Sequence, residues 1–425
     1  MKPSKPTTLA ILLALSPTVF AQDELSALDA VKNRPNPTEI AEPADPNDAP
    51  FGNGDPSKAV SFDDPYNTGR PVLDSIWSIP LIYQNENNPW VQEFKLKGNY
   101  QWRNAEINSD QGDTELHENR RARLGATMKL LYNVEISGEV NLVDEFSLNV
   151  DDSFGYHGID TLYATVQITE GLSLSVGKMK PKFSYEYTTD SRELPVLERS
   201  LLVEQLMPAK STGVAINAES GNWSYEFGVY SGEKSDGITG FNDGLFYHAR
   251  ATYNFSDPDL EDVLDREFWH FDYIHNADDD INTSVAGYRH AVATGVYLEN
   301  GPFSLAADVM YATGDVDVWG ATIMPAIFLV EDKLQLVGRY HFADTDDNDG
   351  LMLRPRYEQQ APSLSTIRGD EYHSFYAGLN YYLYGHRVKL MTGLEFAAMK
   401  DHSSIDIAAE NYRGVTWLSG INLSF

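Results

Sequence analysis

The stretch NRRARLGATMKLLYNVEISGEVNL, residues 119–142, carries the residue pattern that decides the fold of this chain. Apolar or small residues occupy every second position from Ala122 to Leu130, and they do so again from Val134 to Leu142. A period of two is typical of β-strands, and the pair Tyr132-Asn133 between the two runs suits a tight turn. The stretch therefore predicts a β-hairpin whose strands, at about 10 residues each, are long enough to cross a membrane when tilted.

The positions between the apolar residues of the first strand hold the basic side chains Arg121, Arg123 and Lys129, although the formal net charge of the chain is -31. If the apolar register faces lipid, these side chains face the water-filled interior of a barrel. Arginine and lysine side chains around such an interior favour the passage of anions. The sequence therefore predicts a basic channel inside an acidic protein, with the acidic residues in the loops and the N-terminal segment.

Two details of this hairpin concern the residues beside these arginines. Arg120 belongs to the register opposite to Arg121 and Arg123, so we expect it at the outer end of the strand, within reach of the lipid headgroups. Glu135 and Glu139 occupy the polar register of the second strand. Opposite charges on neighbouring strands attract each other, so cross-strand pairing with the arginines is an alternative to a free basic surface. The sequence leaves this alternative open.

The bulk composition excludes several classes of protein. The chain of 425 residues contains no cysteine, which excludes disulfides and thiolate metal sites. Its strongly negative charge argues against non-specific binding to nucleic acid. After the N-terminal region, no window of about 18 uninterrupted apolar residues predicts a transmembrane helix. An exported soluble protein and an outer-membrane barrel remain.

The N-terminus has the three parts of a secretory signal peptide, namely two lysines, a short apolar run from Leu9 to Leu15, and small residues at Val19 and Ala21. These features predict cleavage after Ala21 rather than a buried N-terminal helix. The segment that follows is rich in proline and acidic residues and has little apolar periodicity, so we expect it to be disordered. The predicted domains are a signal peptide at 1–21, a linker or tether at 22–89 and a barrel at 90–425.

The alternating pattern recurs along the rest of the chain and predicts about 16 strands. Short links such as Gly221-Asn222 and Asn300-Gly301 alternate with long polar connections, as turns and external loops do in outer-membrane barrels. The last strand ends on Phe425, which is typical of bacterial outer-membrane proteins. The predicted fold is therefore all-β, a transmembrane antiparallel barrel, and a soluble β-sandwich is the alternative. The long connections are expected at residues 104–119, 144–159, 179–211, 343–371 and 400–412.

Several stretches together resemble the phosphate-selective porin O and P family of Gram-negative outer membranes. They are Arg121–Gly125, Val176–Glu186, Glu198–Ser200 shortly before Gly213-Val214, and Gly378–Leu383 followed by Val388–Leu390. The resemblance extends over about residues 90 to 425 and leaves out the proline-rich segment. It implies a sixteen-stranded barrel, a homotrimer, and a basic, anion-selective pore that is narrowed by a third loop folded inward.

The connection from Met179 to Ser211 lies where that third loop should be, and it exceeds the length of a simple cap. It contains basic residues and also apolar ones that could anchor it to the inner wall, so we expect it to fold inward and form the constriction. An external surface loop is the alternative. The candidate pore-lining and anion-binding residues are Arg121, Arg123, Lys129, Lys178, Lys180, Lys182, Arg199, Arg250 and Arg339.

The function predicted from these observations is passive diffusion of small anions, such as phosphate, through a porin in the outer membrane. The alternatives are a general, weakly selective porin, because acidic residues are plentiful, and an outer-membrane barrel enzyme. A third alternative is an exported β-sandwich that binds glycans. The expected partners are outer-membrane lipid, lipopolysaccharide, small anions and two further copies of the chain. No catalytic residue, cofactor, metal or nucleic-acid partner is predicted, and His270 and His275 form no metal-ligand pattern.

Overall fold

The computed structural model describes residues 71–144, 154–255, 266–277, 281–285, 287–347, 349–364, 368–402 and 411–425. The predicted signal peptide lies outside these residues, as does the greater part of the predicted linker. The helices are α1 (Pro71–Ser78), α2 (Tyr185–Thr188) and α3 (Leu201–Leu206), and a 3-10 helix spans Glu358–Gln360. None of the described helices is long and apolar enough to cross a membrane.

The strands of the first half of the chain are β1 (Leu81–Gln84), β2 (Val91–Ser109), β3 (Gly112–Leu130), β4 (Val134–Asn141), β5 (Ile159–Thr169), β6 (Leu172–Met179), β7 (Ser211–Ser220), β8 (Trp223–Ser231) and β9 (Leu245–Asn254). Those of the second half are β10 (Arg266–Asn276), β11 (Tyr288–Asn300), β12 (Phe303–Gly314), β13 (Val318–Val330), β14 (Leu334–Thr345), β15 (Leu351–Met352), β16 (Arg368–Gly369), β17 (Glu371–Tyr384), β18 (Val388–Lys400) and β19 (Tyr412–Ser424).

Sixteen of these strands close into one antiparallel barrel. Strands β2 to β14 pair in chain order, β17, β18 and β19 follow, and β19 pairs back onto β2 from Gly414↔Ser109 to Ser424↔Asn99. Closure gives every strand a hydrogen-bonding neighbour on both sides, which a sheet surrounded by hydrocarbon requires. The all-β barrel predicted from the alternation is confirmed. β15 and β16 pair with each other in a separate two-stranded sheet.

The residues just before the barrel complete its seam. β1 pairs with β2 at Leu81↔Lys95, beside the position where β19 ends. Trp77 of α1 donates its indole N–H to the carbonyl oxygen of Ser424 at 2.6 Å, and Phe425 exchanges backbone hydrogen bonds with Gly98. The last residues of the segment assigned to the linker therefore pack against the barrel.

The outer face of the barrel is apolar and the inner face is polar. On β13 and β14 the outward residues Trp319, Ile323 and Tyr340 are 43–46% exposed, whereas the inward residues Thr322 and Arg339 are at most 5% exposed. Outward aromatic rings cluster near both ends of the wall, with Trp223 and Tyr253 at the end of the short turns and Trp319 and Phe342 at the opposite end. An apolar band between two aromatic girdles is typical of a barrel in a membrane.

The predicted long loop at residues 104–119 is wrong. β2 and β3 run on through this segment, and only Asp110 and Gln111 separate them. Ala105 and Ile107 still face inward and are buried, whereas outward positions such as Glu106 are polar. At this height the strands have passed beyond the apolar band, so their outer face no longer needs apolar residues. The segment therefore lacks the outward apolar residues from which a strand was predicted elsewhere.

The connection between β6 and β7, residues 180–210, is named here the third loop, and it folds into the interior as predicted. Phe183, Leu197 and Leu202 of this loop are at most 2% exposed. Leu197 belongs to one apolar cluster with Met324 of β13 and Tyr376 of β17, both of which face inward. The connection between β14 and β17 also turns inward, because its Tyr357 joins the same cluster. The core of the molecule is thus built inside the barrel, between two loops and the wall.

Candidate functional site

The first contact that holds the third loop to the wall is centred on Glu198. Its carboxylate accepts two hydrogen bonds from Arg120, at 2.9 and 3.0 Å. Arg103 and Arg121 approach it to 3.9 and 4.0 Å. Burial alone would raise the pKa of the Glu198 carboxyl, but Arg120, followed by Arg121, outweighs burial and holds this pKa well below its usual range. The glutamate therefore stays ionised and fixes the loop to β2 and β3.

The prediction that Arg120 points outward to the headgroups is wrong. In the pairing of β2 with β3, Gln101 faces Arg121 and Trp102 faces Asn119, so Arg120 is an extra residue in a β-bulge. A bulge shifts the alternation by one position. As a result Arg120 and Arg121 both point inward, and both reach Glu198.

The second contact links the third loop to β14, β18 and the inward connection after β14. Arg339 donates to the carbonyl oxygen of Glu198 at 2.7 Å and lies 3.3 Å from the Glu186 carboxylate. Its other amino group is 3.1 Å from Glu395, which also pairs with Arg354 at 2.9 Å. Buried charge pairs of this kind hold elements in one fixed arrangement, because separating them would leave buried charges unpaired.

The third contact docks the start of the loop on β10 and β12. The backbone N–H of Ser184 donates to Asp272 and that of Tyr185 donates to Asp308, both at 2.8 Å. Arg250 of β9 pairs with Asp272 at 2.9 Å, and the ring of His270 lies between the two carboxylates. The loop is thus attached to opposite parts of the wall.

A group of basic side chains of the third loop has a different set of contacts. Lys180 and Arg199 lie against the ring of Tyr187, at 4.5 and 5.6 Å from its centroid. Both donate to the carbonyl oxygen of Thr189, at 3.4 and 3.1 Å, and Arg199 also donates to the carbonyl oxygen of Glu186 at 2.8 Å. Burial, followed by the charge of Arg199, lowers the pKa of the Lys180 ammonium well below its usual value.

Two further cations border this group and share one carboxylate. Lys210 bonds to Asp160 at 2.5 Å, and Arg123 approaches the same carboxylate to 3.3 Å. Asp160 is itself an extra residue in a bulge of β5, between Ile159 and Thr161. We name Arg123, Lys180, Arg199 and Lys210 the basic cluster. Of its four cations, Lys210 and Arg123 share the Asp160 carboxylate, and the charge of Asp190 acts on Lys180.

The remaining candidate residues have other bonded partners, although Lys178 stays near the charges of Asp160 and Lys210. Lys129 is about half exposed and pairs with Glu93 at 3.4 Å, and Lys182 pairs with Glu226 at 2.8 Å. Lys178 donates to the carbonyl oxygens of Ile159 and Ser235, at the end of β6. The structure therefore brings Arg123, Lys180 and Arg199 together, whereas Arg121, Arg250 and Arg339 hold the third loop to the wall.

Several recorded contacts bear on the open question about Glu135 and Glu139. Arg121 bonds to Gln101 at 2.7 Å and faces Glu198, and Arg123 faces Asp160. Glu139 instead pairs with Lys97 at 3.5 Å. The carboxylates recorded beside the two arginines thus come from the third loop and from a bulge, neither of which the strand alternation could have identified.

Comparisons with known proteins agree with this architecture. A sequence model of the family described as phosphate-selective porin O and P matches residues 94–314. No curated protein matches the chain. The solved outer-membrane channel DcaP of Acinetobacter baumannii is similar, with a TM-score of 0.54 and 11% identity over 81% of this chain and 100% of that chain. OmpF of Salmonella typhi, solved with daunomycin, has a TM-score of 0.51 and 10% identity over the same shares, 81% and 100%. At such identities the likeness concerns the fold alone.

Proposed function

The chain belongs to the phosphate-selective porin O and P family, and from that premise we propose that it is a passive channel that prefers anions, with phosphate or a similar oxyanion as its solute. Family and fold make the protein an outer-membrane porin, a channel rather than an enzyme. Membership of the family does not by itself establish a preference for anions, so this part of the proposal rests on the charges of the site.

The observation that carries the proposal is the composition of the basic cluster. The contacts recorded for Lys180 and Arg199 in the described residues are carbonyl oxygens and an aromatic ring, whereas most lumenal arginines face carboxylates. Carbonyl oxygens and rings do not neutralise a positive charge as a bonded carboxylate does, and the Asp190 carboxylate that acts on Lys180 is itself bonded to Arg192. An anion that passes can therefore still be attracted. The guanidinium group of Arg199 also supplies fixed donors that suit an oxyanion.

The low pKa of Lys180 makes the attraction between the basic cluster and an anion depend on pH. An ammonium group that burial and Arg199 destabilise gains most from a negative partner, so binding of an anion favours its charged form. The attraction should therefore be strong at low pH and weaken as the pH rises through the lowered pKa of Lys180. A pore whose cations all faced carboxylates would not respond in this way.

Substitution of both Lys180 and Arg199 by Gln is expected to reduce the anion-to-cation permeability ratio roughly fivefold, which corresponds to about 1 kcal/mol of lost electrostatic attraction. The ratio is measured from the reversal potential of single channels in planar bilayers under a salt gradient, with phosphate added. The matched control is Lys400→Gln, which removes one positive charge from the outward register of β18, where Lys400 pairs with Glu371. A wild-type reversal potential of the cation-selective sign would overturn the proposal.

A general, weakly selective porin is the second candidate, and one observation favours it. Several buried side chains inside the barrel neutralise each other's charge, as Glu198 does with Arg120 and Glu395 with Arg339. If this candidate is correct, the double variant and the wild type will show the same small permeability ratio. The barrel enzyme is not proposed, and the expected contacts with lipid and lipopolysaccharide stay predictions.

The assembly expected from the family resemblance is a homotrimer, which we propose for this chain as well. A closed barrel satisfies its own backbone hydrogen bonds, so each chain can stay folded in detergent until it is heated, and an assembly of folded chains can persist with it. Gel electrophoresis of unheated protein should therefore show a band of about three times the chain mass that collapses to the monomer on boiling. Cross-linking that stops at one or two chains would contradict the trimer.

A further inference from the structure

His270 lies at the centre of the contact that docks the start of the third loop. Its Nδ1 is 3.0 Å from Asp272 and its Nε2 is 2.8 Å from Asp308. His270 and Asp272 are fully buried, and Asp308 is 4% exposed. These residues come from the facing positions of β10 and β12, with Gly295 of β11 between them, whose missing side chain leaves room for the ring.

The positions of the two carboxylates indicate the protonation state of His270. A carboxylate accepts hydrogen bonds, and a neutral imidazole has one donor and one acceptor nitrogen. If His270 were neutral, its acceptor nitrogen would face a carboxylate at hydrogen-bond distance, which is repulsive. With both nitrogens facing carboxylates, the imidazole is the most basic of the three groups and takes the additional proton. His270 is then an imidazolium that donates to both aspartates.

The same two carboxylates receive the loop. The Oδ2 atom of Asp272, which faces His270, also accepts the N–H of Ser184, and Asp308 accepts the N–H of Tyr185 through its Oδ2. We propose that Asp272, His270 and Asp308 form a proton-dependent docking site, in which His270 is the positioning residue that aligns both carboxylates to hold the third loop. The docking itself rests on these contacts, and only its effect on permeation rests on the proposed function.

The charges that face the cluster from the surrounding elements agree with a protonated ring. Arg250 of β9 pairs with Asp272 at 2.9 Å, and its other recorded partners are Thr188 and Thr252. The two aspartates are thus balanced by one guanidinium and one imidazolium. Loss of the imidazolium proton would leave one buried negative charge uncompensated, which is costly in a buried site.

The other groups around the cluster do not supply a replacement charge. The ring of Phe268 lies 6.4 Å from His270, and Tyr185 approaches through its backbone. Farther along the wall, Glu226 of β8 lies 3.4 Å from His248 and 2.8 Å from Lys182, so the cation of Lys182 already has a carboxylate partner. Deprotonation of His270 therefore acts directly on the two aspartates and on the loop that they hold.

The backbone of Ser184 shows that the loop depends on this attachment. Its φ of +54° lies in the left-handed region, which a non-glycine residue adopts at a cost. Such a conformation persists when surrounding contacts hold it, here the bond from its N–H to Asp272 and the bond from Tyr187 to its hydroxyl. When the docking site weakens, relaxation of this residue favours release of the loop.

The test measures amide hydrogen exchange in the segment 180–190 of the whole protein, as protection relative to the intrinsic rate at each pH. In the wild type we expect high protection at about pH 6 that falls roughly 10- to 100-fold as the pH is raised to about 9, because hydrogen bonds to charged acceptors are lost. His270→Gln carries no titratable proton, so its protection should be low at both pH values.

The matched control is His341→Gln on β14. His341 is also buried and contacts the third loop, but it accepts the N–H of Leu202 at 3.3 Å and lies 3.1 Å from Thr322, so its role needs no charge. This control should keep the pH dependence of the segment 180–190. Equal losses in both variants, or wild-type protection that is flat with pH, would overturn the proposal, and the wild-type profile decides even if His270→Gln does not fold.

Single-channel recordings separate this inference from the proposed function. Loss of protection at high pH together with a change in conductance supports both. Loss of protection with unchanged conductance supports the docking site and contradicts the role of the third loop as the constriction. Constant protection contradicts the docking site, whatever the selectivity of the channel.

Discussion

Replacement of Glu198 by Gln is expected to lower the free energy of unfolding by about 3–5 kcal/mol, the usual cost of removing one partner from a buried ion pair. The glutamate is 3% exposed and receives both hydrogen bonds of Arg120. Without its charge, Arg103, Arg120 and Arg121 repel one another in a buried site. The measurement is the urea-induced or thermal unfolding of the protein in detergent or lipid vesicles.

The pH dependence of this effect follows from the lowered pKa of Glu198. A carboxyl whose pKa is lower in the folded state contributes stability that is fully present above its unfolded pKa, about 4.3, and declines as the pH falls toward the folded value. The difference in stability between wild type and Glu198→Gln should therefore be constant above about pH 5 and shrink in stronger acid.

The matched control for this prediction is Glu204→Gln in α3 of the same loop. Burial, followed by the nearby charge of Glu198, raises the pKa of the Glu204 carboxyl, so its neutral form is favoured and the amide is a close replacement. We expect a change in unfolding free energy of less than about 1 kcal/mol. Similar losses for both variants would show that the loop tolerates no polar change, and would contradict the special role of Glu198.

Removal of residues 181–209, replaced by a short glycine-serine link, is expected to raise the single-channel conductance several-fold. The third loop contacts β2, β10, β12, β14 and β18 across the interior, so it occupies much of the cross-section. Its loss also removes Arg199 of the basic cluster, and the preference for anions should fall for that reason. Conductance and reversal potential are measured on the same channels.

A suitable control shortens the connection between β8 and β9. Its Thr239 bonds to Thr212 and its Ser235 to Lys178, so it lies at the rim near the end of β6. This shorter variant should conduct as the wild type does. Conductance that is unchanged after removal of the third loop would contradict its role as the constriction.

The sequence predicted the barrel because alternation is a local property. Each residue of a strand meets either lipid or the interior, and the burial of β13 and β14 alternates in that way over most of their length. The pattern failed in the segment 104–119, where the wall has left the apolar band, and at Arg120, where one extra residue reversed the register. The two errors have different origins, since the first comes from a change in the surroundings of the strand and the second from an irregularity of its backbone.

The candidate site could be predicted in part. The resemblance and the length of the third connection indicated a loop inside the barrel, and its basic residues Lys180 and Arg199 were identified. Glu198 appeared only as part of a motif and Lys210 only as one of the basic residues of that connection, while Asp160 and Arg354 carried no signal of a role. The contacts within the site join residues that are far apart in the chain, such as Arg339 and Glu186.

The sequence by itself determined that this chain closes into a barrel with a lumen, because the period of its apolar residues depends only on neighbouring positions. The tertiary structure alone decided which lumenal charges are neutralised. That outcome depends on two bulges and on where the third loop comes to lie, and therefore on distances between segments that the linear pattern does not contain. Arg120, expected at the lipid, instead holds the loop through Glu198, whereas Lys180 and Arg199 of the basic cluster lie against carbonyl oxygens and one ring.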